Sequence, residues 1–350
     1  AVPIIIQNLL TNLVSMADNI MVGQLGTNQM SGVAIINQLF FVFNLLVFGG
    51  MSGAGLFSAQ YFGQKNHNGV RDVFRMKILI GITIIAISLS VMIFLHEPLI
   101  NMFLHEGSSS GNIQETFNYA KNYLYIMVIG IAPFVISNCY STTLKESGQT
   151  VVPMKAGVLA VVFDIVLNYI FIFGKLGFPA MGVVGAAIAT VISRFVECGY
   201  LVIYTHRHSN DYPFIKHCYR TLKVPGSLVK KIIVTGAPLM LNEFLWAGGL
   251  TLQTQALSTK GLATVGGLNI CNTIGNISNC IFVTMGTTIA IVVGQLLGAG
   301  KLKEAKVTAT RMAAFSLLIS FGMIIILGLL GLVFPHFYNT TDEIRELATK

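Results

Sequence analysis

Residues 29–60 read QMSGVAIINQLFFVFNLLVFGGMSGAGLFSAQ, 32 consecutive positions without one Asp, Glu, Lys or Arg. A bilayer core of about 30 Å is crossed by roughly 20 apolar residues of helix, so the stretch predicts a membrane span. The rest of the chain follows suit. Of 350 residues, 22 are Lys or Arg and 14 are Asp or Glu, while 54% are apolar. The mean hydropathy is +0.72, whereas a soluble domain carries about 25% charge. This balance excludes a water-soluble enzyme, a disordered tail and a disulfide-stapled secreted module. Apolar stretches at 3–24, 29–60, 72–95, 118–143, 151–174, 181–204, 229–259, 264–297 and 306–334 predict nine helices. The ten-residue alternation of barrel strands is absent. The fold class is an all-α polytopic membrane protein.

Placement of the charge gives a topology. Lys65, Arg71, Arg75 and Lys77, then Lys145 and Lys155, then Arg207, Lys216, Arg220, Lys223, Lys230 and Lys231, then Lys301, Lys303, Lys306 and Arg311 all fall in alternate loops. By the positive-inside rule these face the cytoplasm, with the N-terminus on the same side of a bacterial-type plasma membrane. The opposite loops hold Glu97, Glu106, Glu115, Asp342, Glu343 and Glu346. The net charge of +8 therefore marks orientation, and nucleic acid is not an expected partner. No signal peptide is read at Ala1, which opens inside an apolar segment as if trimmed.

Sliding the sequence by 235 residues lays Pro3 on Pro238, Gly26 on Gly261, Gly32 on Gly267, Asn37 on Asn272, Asn44 on Asn279, Gln60 on Gln295 and Gly63 on Gly298. Chance does not hold one offset over sixty residues. The unit is six helices long, and an even count returns the chain to its starting side, so the two copies run parallel about an axis along the membrane normal. The expected organisation is a six-helix N-lobe at 1–206, a cytoplasmic linker at 207–228 and a partial C-lobe of three helices at 229–350. Against a complete second copy, three helices are wanting.

Met16, Ala17, Asp18, Asn19, Ile20, Met21, Val22 and Gly23 close the first helix, Ala59, Gln60, Tyr61, Phe62 and Gly63 the second, and Leu167, Asn168, Tyr169, Ile170, Phe171, Ile172, Phe173 and Gly174 the fifth, with Gly236, Ala237 and Pro238 in the seventh. In order and spacing these motifs resemble the multidrug and toxic compound extrusion (MATE) family over the whole chain. The resemblance implies two six-helix lobes forming a V around a central cavity, with efflux driven by proton or sodium entry. It implies that Asp18 matches the family's cation-coupling carboxylate. It also implies that Asp164 and Asn168 stand where the family has an Asn/Asp pair, with the residue types exchanged. The resemblance also implies an acidic residue in the seventh helix, where this chain has Glu243.

Read on its own chemistry, a charge near a helix centre costs about 2.5–3.5 kcal/mol on insertion scales and is kept for function or internal pairing. Asp18 lies beside a polar stripe of Asn8, Asn12, Ser15 and Asn19; it is either a coupling group or a headgroup-level carboxylate near the helix end at Gly23. Asp164 and Asn168, four apart, share one helix face and suit a proton or sodium site, or an interhelical hydrogen bond. Glu243, opposite Asn8 in the repeat, completes the expected cation-coupling set. Arg194 and Glu197, three apart, are expected to neutralise each other. Asn37 and Asn44, with Asn269, Asn272, Asn276 and Asn279, draw stripes that either line a wet cavity or satisfy one another; with Asn8 and Asn12 they are the expected substrate cavity. Pro3 and Pro238 are the expected hinges.

The five cysteines show no CxxC spacing, and four of them lie inside apolar runs where a thiol behaves as a small hydrophobe. His206, His208, His217 and Cys218 in the linker fit no zinc pattern and are read as solvated. No metal and no cofactor beyond a coupling H⁺ or Na⁺ is expected. The chain has no GxxxxGK[ST], HExxH or GxSxG motif, so neither ATP nor catalytic residues are expected. The expected function is cation-coupled antiport of amphipathic organic cations by alternating access, in a monomer surrounded by membrane lipid. The alternatives are a lipid-linked precursor flippase, which calls for a more cationic cavity, and a membrane-embedded transferase, which calls for a polar cluster at a membrane face.

Overall fold

The computed structural model describes residues 2–103, 113–258 and 262–333. Among them every regular element is a helix: α1 (Val2–Gly23), α2 (Thr27–Gly63), α3 (His67–Phe94), the short α4 (His96–Asn101), α5 (Ile113–Met127), α6 (Ile131–Glu146), α7 (Val151–Phe173), α8 (Gly182–Arg207), α9 (Gly226–Ser258), α10 (Leu262–Gly298) and α11 (Leu302–Val333). In lipid an exposed backbone amide finds no water, so apolar chain of this length crosses as helix.

Seven stretches are long and apolar enough to span a membrane, one of them α5 and α6 read together as Ile113–Glu146 across a 3₁₀ turn at Val128–Gly130. The other two predicted spans, α1 and α9, have the length but carry more polar side chains: Gln7, Asn8, Asn12 and Asp18 in one, Lys230, Lys231, Asn242 and Glu243 in the other. These are repeat-related helices, and both border the groove between the halves.

Local ends follow the residues. The Asn66 side chain caps α3 by accepting from the Gly69 amide at 2.9 Å, as a short polar side chain does at an N-terminus. Gly174 ends α7 at φ +66°; this left-handed stop favours glycine, and a Cβ there would also press on the Ala180 backbone.

Helices α1 to α8 pack around Ile36, Phe43, Phe74, Leu124, Ile131 and Leu144. The linker is ordered on this bundle rather than loose above it. Arg71 donates to the carbonyls of Phe214 and Pro213 at 3.4 and 3.3 Å, and Arg75 to those of Cys218 and His217 at 2.9 and 3.0 Å. Cys218, expected in solvent, is fully buried, and burial pushes its thiol up to about 11. The correction follows from Phe214, whose ring stacks edge-on against Phe74 and draws the segment inward.

The repeat halves meet through close backbone crossings. A Cβ on Gly53 of α2 would run into Gly236 of α9, and one on Gly49 would meet Met240. The number falls from 53 to 49 on α2 as it rises from 236 to 240 on α9, so the two helices are antiparallel. Since α1 and α2 form a tight hairpin, α1 and α9 run the same way, as parallel repeats require. Below this, a Cβ on Gly63 would strike the Gln295 carbonyl of α10, and one on Gly298 would strike the Gln60 carbonyl of α2. Each glycine faces the residue whose repeat mate faces the other glycine, which is the mark of a local two-fold. Gln295 adds a bond across the halves, its Nε2 donating to the Glu146 carbonyl at 2.7 Å.

These contacts sit at the end carrying the basic loops, where α2 and α10 finish and α1 and α9 begin. Towards the other end, Asn37, Phe41 and Val42 of α2 and Leu13 and Ile20 of α1 are exposed. Beyond them, α11 rests on α10 and leaves Leu317, Leu318, Phe321 and Ile325 outward, as a lipid-facing helix does.

Valine at Gly63 or Gly298 is expected to lower the unfolding temperature of the detergent-purified protein by an overpacking cost of about 1–3 kcal/mol. Alanine at Gly199, where a Cβ meets open space, is the control. Valine variants as stable as the parent would refute the crossing.

Candidate functional site

Asp18 comes from the far half of α1, Asp164 and Asn168 from one face of α7, and Ser193 from α8. The Asn168 Nδ2 donates to Asp18 Oδ1 at 2.7 Å and to Asp164 Oδ2 at 3.2 Å. Ser193 Oγ donates to Asp164 Oδ1 at 3.1 Å. Asp164 and Asn168 are buried, and Asp18 is half-buried. The four-residue spacing on α7 does what it predicts, bringing carboxyl and amide to one point, and α1 docks its own carboxyl there.

The hydrogen-bond inventory of this cluster is lopsided. An amide has two N–H donors, and both are spent on carboxyl oxygens. The Asn168 Oδ1 is buried without a partner, and a buried acceptor left unmet costs about 1–3 kcal/mol. Two carboxyls, an orphan carbonyl and a hydroxyl thus stand together with an excess of oxygen acceptors. Such a cluster is completed chemically by a proton on a carboxyl, which turns an acceptor into a donor, or by a small hard cation.

The remaining predicted residues are placed elsewhere. Asn8 donates to Thr284 Oγ1 at 2.8 Å, and Asn12 bonds to Cys280 Sγ, so both tie α1 to α10 across the halves. Asn37 is exposed, and Asn44 keeps a buried, unpartnered Oδ1. Asn279 is half-buried, and the side chains of Asn272 and Asn276 lie outside the described residues, as do Glu106, Asp342, Glu343 and Glu346. Glu243 is half-buried on α9 and does not join the Asp18 cluster. Pro3 sits in the first turn of α1, where a missing N–H is tolerated, and Pro238 lies inside α9.

Two readings need correcting. Arg194 makes no ion pair with Glu197; its guanidinium lies between the rings of Phe40 and Phe134, 5.4 and 5.1 Å from their centroids, and reaches the Gly130 carbonyl. Cation–π contact takes the place of charge pairing. Lys77, counted with the loop cations, is completely buried, with its Nζ 2.6 Å from Glu146 Oε2 and bonded to the hydroxyls of Thr142 and Thr143. The signal was helical phase. Arg71 and Arg75 are one turn apart and face the linker, while Lys77 is two residues further and points the opposite way. Ser193 was missed because a single serine carries no spacing signal.

Geometry and composition together define a multi-pass α-helical membrane protein with a doubled helical unit and a carboxyl cluster between helices of one half. The MatE family model matches residues 3–170 and 238–350, two starts separated by the repeat offset. A probable multidrug resistance protein NorM of Thermotoga maritima is 30% identical over 302 residues, covering 86% of this chain and 62% of the relative. Another of that name from Halalkalibacterium halodurans is 27% identical over 352 residues, covering 99% of this chain and 74% of the relative. An outward-facing MATE family transporter of the MOP superfamily superposes with a TM-score of 0.85 at 20% identity, over 99% of this chain and 75% of that one. A MOP superfamily transporter from Pyrococcus furiosus gives a TM-score of 0.80 at 21% identity over the same shares. The chain belongs to the MATE family, whose members are transporters and not enzymes, and it spans about three-fifths of the length of the Thermotoga relative.

Replacing Lys77 by Met is expected to cost about 3–5 kcal/mol by leaving Glu146 buried and unpaired. The double change Lys77→Met, Glu146→Leu should recover most of that loss in detergent unfolding. Equal losses in the single and double variants would mean the pair is not coupled.

Proposed function

We propose that this chain forms the greater part of a secondary-active exporter that moves amphipathic organic cations out of the cell in exchange for protons. The observation that carries the reading is the Asn168 amide bridging Asp18 and Asp164 beside its own unpartnered carbonyl. Two carboxylates around one amide repel while both are charged, and a proton taken up by either relieves the repulsion. Sodium is the second candidate, since Asp18, Asp164, Asn168 and Ser193 offer four oxygens. The proton is favoured because it completes the cluster without further ligands.

In the proposed orientation the basic loops and the N-terminus are cytoplasmic, in a bacterial-type plasma membrane. The halves 1–206 and 229–350 act as lobes joined by the 207–228 linker. The closed end then faces inward, and the groove opens outward onto Asp18. Protonation from outside removes charge from the groove edge, α1 shifts against α7, a cationic substrate loses its counter-charge and leaves, and the lobes rock to expose the opposite side. Asparagines on α1 and α2, together with Glu243 on α9, line the proposed substrate path. The relatives named for multidrug resistance and the twofold family match support this reading.

The test uses the full-length protein in proteoliposomes with a proton or a sodium gradient imposed separately. Asp18→Asn should lower proton-driven export of ethidium by at least tenfold, about 1.4 kcal/mol or more of lost coupling, while Glu243→Gln keeps it. Proton-driven export undiminished in Asp18→Asn, with sodium-driven export abolished in Glu243→Gln, would overturn the mechanism.

A further inference from the structure

At the basic-loop end a groove of about 400 Å³ lies between α2 and α9, lined by Phe57 from the first half and Ser227, Lys230, Lys231, Val234 and Thr235 from the second. Phe57 also packs against a small apolar cluster in which Ala54 of α2 meets Leu228 and Ile232 of α9, beside the Gly53 and Gly236 crossing. Lys230 and Lys231 are exposed, and neither has an acidic partner within salt-bridge distance among the described residues. Val234 is 63% exposed and Ile233 next to it 56%, so the apolar wall continues onto the outer face of the helix.

The lining is divided by chemistry. Two unpaired ammonium groups and two hydroxyls offer donors and charge to an anion, while Phe57 and Val234 offer apolar surface to a chain. A free anion would leave the apolar wall unmatched. A zwitterionic lipid brings its own ammonium against the lysines. The occupant that satisfies both parts is an amphiphile with an anionic head, and the leaflet at a basic protein face supplies one.

We propose that this groove binds an anionic phospholipid, its phosphate held by Lys230, Lys231 and Ser227 and an acyl chain lying on Phe57 and Val234. The walls belong to opposite repeat halves, so the lipid fits only while the two halves are closed at this end. A ligand that prefers one arrangement stabilises it, and the lipid therefore holds the basic-loop end shut. The site does not depend on which ion drives transport.

The experiment is titration of the purified full-length protein in detergent with palmitoyl-oleoyl phosphatidylglycerol, counting bound lipids by native mass spectrometry. The Lys230→Gln, Lys231→Gln double variant should weaken binding about thirtyfold, from roughly fivefold per lysine near an anionic headgroup. Lys301→Gln, Lys303→Gln, which removes an equal charge from the α10–α11 loop, should leave it unchanged. Phosphatidylethanolamine with the same chains should bind far more weakly, and glycerol phosphate should not compete. Undiminished binding in the first variant, an equal loss in the second, equal binding of phosphatidylethanolamine, or competition by glycerol phosphate would each overturn the proposal.

Discussion

The contact on which the arrangement of the halves depends is the crossing of α2 and α10, where Gly63 meets the Gln295 backbone and Gly298 meets that of Gln60. Both helices are uncharged along their length, so no ion pair sets how near they come. Small residues do, because lipid offers no hydrophobic drive between helices and close backbone packing supplies the attraction instead. The contact is reciprocal, so it closes on itself and adds no preference for either half. It is also confined to the helix ends. At that end the two helices approach to backbone contact, and a larger side chain at either glycine would push them apart.

Buried charge is held in two different ways within the first half. Lys77 and Glu146 neutralise each other inside the first half and are further bonded by Thr142 and Thr143, so their desolvation is met by a fixed partner. Glu146 also lends its backbone carbonyl to Gln295, which joins the internal ion pair to the crossing of the halves. The Asp18 cluster is the opposite case. It contains two acids, one bridging amide and an acceptor with nothing to accept, and no base bonds to either carboxyl among the described residues. Charge pairing of the first kind is structural because it is complete. The second kind is incomplete, with an excess of acceptors that a proton on a carboxyl would relieve.

The all-helical membrane fold and the positions of its long helices are legible because each is a periodic property of a long segment, and hydrophobicity over twenty residues outweighs any single exception. Asp164 and Asn168 were legible for the same reason, as polar residues one turn apart in an apolar helix. What escaped was decided by direction. Lys77 was grouped with Arg71 and Arg75 by nearness in sequence, although its helical phase turns it inward. Arg194 was given the nearest acid as partner, although Phe40 and Phe134 arrive from other helices to enclose it. Cys218 lies in a segment whose composition reads as solvated, and only the ring of Phe214 against Phe74 brings it into the core. Each of these depends on a second element whose approach no local pattern encodes.

The repeat also shows where the halves part company. Asp18 corresponds to Gln253, and Glu243 corresponds to Asn8, so each half carries one carboxyl on its first helix but at different depths. Asn8 bonds across to Thr284 near the narrow end, and Glu243 lies one turn beyond Met240, which packs on Gly49. Asp18 lies well beyond both along α1, and only Asp18 is backed by a second acid and a bridging amide. The two halves, otherwise built alike, therefore differ both in where their first helices carry a carboxyl and in what surrounds it.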